Sequence, residues 1–401
     1  MADQPLADRI NPQVTRRRIL KYGIGSTVGI LGAGSLGTIL AACGVTTKPA
    51  SLGHGAGIPS NGQAISLAQL AATAKKEGRL TVIALPPDWA NYGQIISTFQ
   101  QKYAIPITSQ APDDSSSQEL QAVTTYKNSA QLEPDAVDVG PSFAAQGKVQ
   151  GLWAPYKNSH WDTIPSSLKD PQGYWTGDYY GVIAFGANRS IVKTMPQDWS
   201  DLLKPEYRNM VSIDGDPRTA DDAFMAVWAA ALANGGSLDN ISPGIDFFQE
   251  LKQRGNFIPV DNYPANISKG TTPIALKWDY LLIGYQQEWN GNPPITVTIP
   301  KSGVIGGFYC QAISRYSYHP YAARLWEEFL YSDEGQLLYL EGYAHPVRYA
   351  DLARRGKIPG ALAAKLPPAA AYEKAQFPTV EQTNRAAAIV QAQWGPKVVG
   401  S

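Results

Sequence analysis

The chain has 401 residues, of which 44% are hydrophobic and 17% charged, so it is long enough for two or three domains with sizeable cores. Lys and Arg together number 34, as do Asp and Glu, and the formal net charge of zero excludes the strongly basic or acidic chains that bind nucleic acid or form charged tails. With two cysteines, Cys43 and Cys310, no intrachain disulfide forms if the first carries a lipid, and Cys310 is then interpreted as a buried small hydrophobe.

Residues 1–43 have the order of features that is typical of an export signal. Residues 15–21 contain an arginine pair followed by two apolar residues and a lysine, which matches the twin-arginine export pattern. An apolar, glycine-rich stretch then runs to Ala42, as in a signal peptide. Its length would also suit an uncleaved membrane anchor, but its six glycines favour a cleaved signal.

The signal ends in Leu40-Ala41-Ala42-Cys43, which resembles a bacterial lipobox. The resemblance implies that Cys43 becomes the lipidated first residue of the mature chain, and lipid would hold the protein at a membrane surface. Residues 44–64 are rich in Gly, Ser, Thr and Pro and cannot bury enough apolar area to order themselves. They are predicted to form a flexible tether.

The mature chain begins as an alternation of helices and strands. Apolar residues recur at helical spacing from Ile65 to Gly78, and the glycine is placed to end that helix. The next predicted elements are a strand over 80–85, a helix through Ile95 and Phe99, a strand over 105–108, a helix opening at 113–117 and a strand over 136–139. Strands that alternate with helices predict a parallel α/β sheet.

The same alternation continues to residue 331. Strands are predicted at 180–185, 211–213, 273–277, 295–299 and 307–314, and helices at 198–203, 222–233, 245–253 and 320–331. The sequence shows no short-period repeat. The pattern therefore indicates two α/β lobes.

Several segments resemble the extracellular solute-binding proteins of ABC importers, which have the type II periplasmic-binding fold. They are residues 136–140 (Ala-Val-Asp-Val-Gly), 198–207 (Asp-Trp-Ser-Asp-Leu-Leu-Lys-Pro-Glu-Tyr), 211–217, 319–336 and 342–347 (Gly-Tyr-Ala-His-Pro-Val). The resemblance covers nearly all of the mature chain from about Gly78 to Tyr349. Its nearest branches are the iron, polyamine, phosphonate and thiamine binders.

The resemblance implies an α/β, two-lobed fold with a hinge, in which the lobes close over a ligand and the closed form docks on a permease. The implied domains are residues 65–184 as the first part of lobe 1, 185–305 as lobe 2, and 306–401 as a return to lobe 1 with C-terminal helices. The implied partners are a small-molecule solute and an ABC permease with its ATPase. We expect a monomer, lipid-anchored on the outer face of the cytoplasmic membrane, without enzymatic activity and without a cofactor.

Loops that directly follow strands supply the candidate ligand contacts, because strand ends and helix N-termini meet in the crevice between the lobes. The candidates on the first side are Asp88, Trp89, Asp114, Ser115, Ser116 and Ser142, and those on the second side are Tyr179, Asp216, Arg218, Trp278, Asp279 and Tyr280. The serines begin a predicted helix, which suits an anionic group but is also what an ordinary helix cap requires.

The cluster Trp278-Asp279-Tyr280 is the most suggestive, because a carboxylate between aromatic faces suits an ammonium or amidinium group. In the alternative interpretation, Trp278 packs in the core and Asp279 caps the following helix. The favoured ligand is a small polar solute of the polyamine, phosphonate or thiamine kind, with a cation preferred over an anion.

Ferric iron is the main alternative ligand, since Tyr179 and Tyr180 are adjacent and phenolate is a hard oxygen donor. Against it, a strand would direct neighbouring side chains to opposite faces, and the chain has four histidines. The sequence contains neither a zinc motif nor a nucleophile elbow, so no metal site and no catalytic site is predicted. An exported α/β enzyme and a sensory binding module are the alternatives from other functional classes.

Overall fold

The computed structural model describes residues 65–367, 369–372 and 374–400. The predicted export signal, the lipidation site Cys43 and the predicted tether all lie outside the described residues. Among the helices that the model describes, none is both long and apolar enough to cross a bilayer.

The N-terminal part of the fold consists of strands followed by helices, as predicted. Its elements are α1 (Leu67–Glu77), β1 (Leu80–Ile83), α2 (Tyr92–Tyr103), β2 (Ile107–Gln110), α3 (Ser116–Tyr126), β3 (Ala136–Val139), α4 (Pro141–Val149) and β4 (Trp153–Ala154). Ser66 and Gln69 form a capping box at the start of α1, and Gly78 ends this helix in the left-handed conformation with φ 84°.

The middle part starts with a long strand and contains a second set of helices. Its elements are β5 (Thr176–Asn188), β6 (Val211–Ile213), α5 (Asp221–Ala233), α6 (Ser242–Gln253), α7 (Pro264–Lys269), β7 (Ile274–Trp278), α8 (Asp279–Glu288) and β8 (Ile295–Thr298). The helix predicted at 198–203 is a 3₁₀ turn over Trp199–Leu203 that Asp198 caps.

The C-terminal part returns to the first sheet and then becomes helical. Its elements are β9 (Gly306–Ser314), α9 (Pro320–Leu330), α10 (Asp333–Glu341), β10 (His345–Pro346), α11 (Tyr349–Arg354), α12 (Gly360–Ala363), α13 (Ala369–Tyr372) and α14 (Val380–Trp394).

Strand β5 belongs to two sheets, and this joins two lobes. The main strand order is β2-β1-β3-β9-β5-β7-β6. Residues 176–182 of β5 pair with β9, whereas residues 183–188 pair with β7 and β8. We call the part built on β1, β2, β3 and β9 lobe 1, and the part built on β6, β7 and β8 lobe 2.

The sheets are mixed, which corrects the prediction of a parallel sheet. The pairs β1–β2, β1–β3 and β6–β7 are parallel, but β9 runs antiparallel to both β3 and β5, and β5 runs antiparallel to β7. Strand β5 runs from lobe 1 into lobe 2 and β9 runs from lobe 2 back into lobe 1, so the two strands run in opposite directions.

Helix α5 lies in the interior of lobe 2. Its residues from Asp221 to Ala231 are all buried, as expected of a helix that is apolar on nearly every side. Asp221 and Asp222 are the first two residues of this helix, and their carboxylates are buried with it.

The C-terminal strap, which we define as residues 374–400, touches both lobes. Val380, at the start of α14, packs against the smaller apolar cluster of lobe 1. At the other end of α14, Trp394 packs edge-on against Phe248 and Phe257 of lobe 2, with ring centroids 5.6 and 6.4 Å away. The strap therefore connects the lobes a second time, apart from the strands.

Candidate functional site

An acidic cleft lies between the lobes, where the loops after β1 and β2 face the loop after β6, with Asp138 of β3 and Lys277 of β7 between them. Its volume is ≈ 680 Å³. The acidic side chains that line it are Asp88, Asp113, Asp114, Glu119, Asp138, Asp214, Asp216, Asp221, Asp222 and Asp261. Lys277 is the basic residue of this described lining. The cleft therefore has a large excess of acidic groups, although the whole chain is formally neutral.

Four of these carboxyl groups are buried deep in the cleft. Glu119, Asp138, Asp221 and Asp222 are each at most 4% exposed. Burial raises the pKa of Asp221 to about 7 and raises the pKa values of the other three well above their ordinary range. Loss of hydration disfavours the charged form of each group, so the deep end of the cleft favours the arrival of positive charge.

Asp221 is the least compensated of the four. Neither Asp221 nor Asp222 has a hydrogen-bond partner for its carboxylate oxygens among the described residues, but Asp222 lies 3.6 Å from the Lys277 nitrogen, whereas Asp221 has no ion-pair partner there. Buried polar groups are nearly always paired, and a buried carboxylate without a partner is strongly unfavourable. Such a group in a cleft is a candidate for direct contact with a ligand.

Asp138 organises the aromatic wall of the cleft. Its Oδ2 accepts hydrogen bonds from the hydroxyls of Tyr92 at 2.9 Å and Tyr179 at 3.0 Å. Trp89 donates from Nε1 to the Tyr179 hydroxyl at 2.7 Å, so this chain of bonds fixes the indole. The backbone N–H of Asp138 donates to Glu119 Oε2 at 3.0 Å, while its own Oδ1 has no partner in the described part of the chain.

Six residues that were predicted from the sequence line this cleft. They are Asp88, Trp89, Asp114, Ser115, Ser116 and Asp216. Two of the serines also have structural roles: Ser115 forms a capping box with Gln118 at the start of α3, and Ser116 Oγ accepts the backbone N–H of Gly140 at 3.1 Å. Asp216 is held in an ion pair by Arg218, which does not line the cleft.

The cluster Trp278-Asp279-Tyr280 is not part of the lining. Asp279 is fully buried at the start of α8, where it accepts the backbone N–H of Val182 at 2.9 Å and the hydroxyl hydrogen bond of Tyr372. Trp278 is fully buried in the core. Trp278 thus packs in the core as in the alternative interpretation, but Asp279 does not cap α8, because its two oxygens accept from Val182 of β5 and from Tyr372.

The other predicted residues lie behind or beside the lining. Tyr280 stacks on Trp278, with ring centroids 6.3 Å apart, and contributes to the aromatic cluster behind the cleft. Tyr179 is fully buried and holds Trp89. Ser142 is half-buried in the first turn of α4.

Sequence reasoning did not include the deep residues Glu119, Asp138, Asp221, Asp222 and Lys277 among the candidates. Two signals were present: adjacent acids begin an otherwise apolar helix, and a lysine lies within an apolar strand run. Each departs from the usual composition of a buried element.

The structure separates the adjacent tyrosines of the iron hypothesis. Tyr179 bonds to Asp138, whereas Tyr180 lies on the opposite face of β5 and stacks on His345, with ring centroids 5.0 Å apart. No three of the described His, Cys, Asp and Glu residues are grouped in a way that could hold a metal ion.

A family comparison agrees with the two-lobed architecture. Residues 134–378 match the family described as bacterial extracellular solute-binding protein, which is more than half of the chain. The chain belongs to this family. As an extracellular solute-binding protein it is exported, it binds a small molecule, and it is not an enzyme. Among curated proteins, none matches the chain.

Solved solute-binding proteins share the fold. The periplasmic binding protein AfuA from Actinobacillus pleuropneumoniae, with exogenous fructose-6-phosphate bound, has a TM-score of 0.63 and 18% identity over 81% of this chain and 99% of its own. Iron-bound HitA from Pseudomonas aeruginosa has a TM-score of 0.60 and 19% identity over 79% and 99%. A putative spermidine/putrescine ABC transporter from Listeria monocytogenes has a TM-score of 0.58 and 14% identity over 79% and 99%. At these identities the similarity concerns the fold.

Proposed function

We propose that this solute-binding protein captures a small organic cation in the acidic cleft and delivers it to an ABC permease. The observation that carries the proposal is Asp221, which is 3% exposed and has no hydrogen-bond partner for either carboxylate oxygen in the described structure. An ammonium or amidinium group would supply the missing hydrogen bonds and the missing charge.

The aromatic lining supports an organic cation over a small inorganic one. Trp89, Tyr285 and Tyr309 contribute ring surface to the cleft beside the carboxylates. A cation over an aromatic face gains about 0.5–2 kcal/mol, more where both partners are shielded from water. Carboxylates and rings together suit a group that carries positive charge on an apolar body, as amines and thiazolium rings do.

The charge of the cleft disfavours an anionic solute such as a phosphonate. Lys277 forms ion pairs with Asp214 and Asp222, and Arg218 beside the cleft pairs with Asp216. An anion would therefore have to displace a carboxylate from each cation while entering a cleft that is lined mainly by acidic groups. Ferric iron has no comparable support, because the two tyrosines of that hypothesis lie on opposite faces of β5.

We further propose that the lobes close by bending within β5. The pairing partner of this strand changes from β9 to β7 between Val182 and Ile183, which is close to the predicted domain boundary at residues 184 and 185. In this proposal residues 65–184 and 306–367 move as one body and residues 185–305 as the other, while the C-terminal strap packs against both. The cleft lies between these bodies, so closure would surround the ligand.

The proposed location is the outer face of the cytoplasmic membrane, where lipid on Cys43 would anchor a monomer. The support is the order of twin-arginine pattern, apolar stretch, Leu40-Ala41-Ala42-Cys43 and tether in the sequence. Growth of the producing cell with a labelled fatty acid tests this, because a Cys43→Ser chain should lose the label. Equal labelling of both chains would contradict lipidation at this cysteine.

Thermal unfolding of the Cys43→Ser chain tests the ligand class. Useful probes are tetramethylammonium, 1-aminobutane, 1,4-diaminobutane and thiamine, with butyrate, methylphosphonate and ferric citrate as the contrasting set. A cation at a hundredfold excess over its Kd should stabilise the chain by about 2.7 kcal/mol. Asp221→Asn should abolish the gain, whereas the exposed Asp239→Asn should keep it. Stabilisation by the anions or by iron alone would contradict the proposal.

A further inference from the structure

Lys277 is the basic group built into the cleft, and burial lowers the pKa of its ammonium group to about 7. It lies in β7, whose five residues are all buried, and its side chain is 2% exposed. Its ammonium group pairs with Asp214, which follows β6, and lies 3.6 Å from Asp222, in the first turn of α5. The same nitrogen lies 5.3 Å from the centroid of the Trp89 ring.

These contacts are those that an organic ammonium ligand would need. Two carboxylates and one indole face surround the nitrogen, and the lining of the cleft supplies all three. A lysine in the interior of a buried strand is unfavourable unless charged partners compensate it. The Lys277 side chain therefore makes the same interactions that the ammonium group of a bound amine ligand would make.

The deep end of the cleft has one set of contacts left after Lys277 is placed. Glu119 accepts the backbone N–H of Asp138, and Asp138 accepts two tyrosine hydroxyls through one oxygen. Lys277 pairs with Asp214 and lies 3.6 Å from Asp222, whose two oxygens accept no hydrogen bond in the described structure. Asp221 has neither an ion-pair partner nor a hydrogen-bond partner among the described residues. Asp221 is therefore the buried carboxylate that Lys277 leaves for one more ammonium group.

We infer that Lys277 occupies one of two ammonium positions in the cleft and so restricts the protein to solutes with a single buried cationic group. The inference rests on the proposed function, since it specifies which organic cations the cleft accepts. Removal of the lysine ammonium would leave Asp214, Asp222 and the Trp89 face free for a second charged nitrogen. Lys277 is in this sense a specificity-determining residue.

The test compares monoamines with diamines of equal length. The probes are 1-aminoalkanes and α,ω-diaminoalkanes of matched length, compared over a series of increasing chain length. Binding is measured by calorimetry on the Cys43→Ser chain and on the same chain with Lys277→Met, which keeps the length of the side chain without its charge. Lys397→Met, which removes an exposed lysine paired with Asp246, is the matched control.

The expected result is a reversal of preference. The parent chain and Lys397→Met should bind the monoamine at least about tenfold more tightly than the diamine of the same length, whereas Lys277→Met should bind the diamine more tightly by a similar factor. Lys277→Arg should keep the preference of the parent, because it keeps the charge. A folded Lys277→Met chain with an unchanged preference would overturn the inference.

The parent chain alone also tests the inference if Lys277→Met fails to fold. A parent that binds diamines more tightly than monoamines at every length would show that Lys277 does not take up an ammonium position. Failure of the proposed function looks different, because then no organic cation would bind the parent at all. Binding of monoamines with rejection of diamines supports both.

Discussion

Gly140 in lobe 1 lies directly against Asp221 in lobe 2. A Cβ atom placed on Gly140 would be 2.4 Å from Asp221 Oδ1 and 2.8 Å from Asp221 Cβ. Gly140 precedes α4 with φ −59°, which any residue adopts, so its lack of a side chain serves the contact and not the backbone. The lobes therefore meet at the carboxylate that we propose as the main ligand contact.

Gly140→Ala should weaken the binding of an organic cation by about tenfold or more, since a change of one ångström at a binding group has effects of this order. The new methyl group must displace the Asp221 side chain or hold the lobes apart. Calorimetric titration with tetramethylammonium measures the change. Gly284→Ala in α8 is the control, because no atom lies within 4 Å of a Cβ there. Equal affinity in the two variants would contradict the placement of Asp221 at the ligand.

Asp221→Asn and Asp279→Asn should have opposite effects, although both residues are buried. Asp221 has no partner, and its pKa is raised from 3.8 to about 7, so neutralising it should stabilise the empty protein near neutral pH by about 2–4 kcal/mol while weakening cation binding. Asp279 has two protein partners, and its change should destabilise the protein by about 1–3 kcal/mol with little effect on binding.

Denaturant unfolding and calorimetry on both variants separate these outcomes. If Asp279→Asn abolished cation binding and remained folded, the ligand would contact the Trp278-Asp279-Tyr280 cluster instead. Loss of stability in Asp221→Asn would show that its carboxylate is compensated in the protein.

The empty protein should become less stable as the pH rises from about 5 to about 8. Asp221 has a pKa of about 7 in the folded state, so it stays protonated there through part of this range. In the unfolded state its carboxyl group is already ionised in this range. The folded state then binds more protons, and the free energy of unfolding falls with rising pH. Glu77 and Glu133, with pKa values raised by burial to about 7, act in the same direction, whereas His345, with a pKa lowered by burial to about 4, and Lys277, with a pKa lowered to about 7, oppose them in parts of this range. Urea unfolding across this range should show a flatter profile in Asp221→Asn than in the parent.

Cation affinity should show the reverse dependence on pH. A cation favours the ionised form of Asp221, so below about pH 7 binding must release a proton and the affinity falls by up to about tenfold per pH unit for each proton released. 1-Aminobutane is the appropriate probe because it can donate the missing hydrogen bonds and, with an amine pKa of about 10 like that of lysine, keeps its charge across this range. Titrations in buffers of different ionisation enthalpy count the protons. Binding that is independent of pH between about 5 and about 8 would exclude these carboxyl groups from the site.

Trp394→Ala should destabilise the protein by about 3–5 kcal/mol, the usual effect of truncating a large buried aromatic residue. Trp394 is 3% exposed and holds the C-terminal strap against Phe248 and Phe257. Thermal unfolding measures the change. The exposed Phe377→Ala is a useful comparison, with a smaller expected loss because this ring is 41% exposed. A similar loss in both variants would mean that α14 contributes little to holding lobe 2.

Most individual elements of the fold were predictable from the sequence. The strand Ala136–Val139 and the helices that begin near Asp221 and Pro320 have the predicted positions, because buried runs, helix caps and Gly or Pro punctuation act over short distances. The antiparallel course of β5 and β9 was not predictable in this way, since the direction of a strand depends on partners far away in the chain.

The residues of the candidate site also divide into those set by local sequence and those set by distant contacts. Asp88, Trp89 and Asp114 follow strands or open a helix, and their positions in the cleft could be predicted from that local pattern. The burial of Asp221 and the ion pairs of Lys277 arise only when α5, β6 and β7 pack together. Asp279, like Asp88, comes at the end of a strand, and on that pattern both are candidate ligand contacts. Asp279 is instead bonded to Tyr372 from the C-terminal part of the chain, a contact that no local sequence pattern indicates.

The position of Trp89 gives the molecule a built-in optical signal. Its indole is half-buried at the cleft wall, next to the Lys277 ammonium and bonded to Tyr179. A charged ligand that binds here would alter the electric field across this ring and therefore the wavelength of its fluorescence emission. Replacing the other indoles would be needed to isolate that emission, since the chain has ten tryptophans. Occupancy could then be followed in real time without attaching a dye.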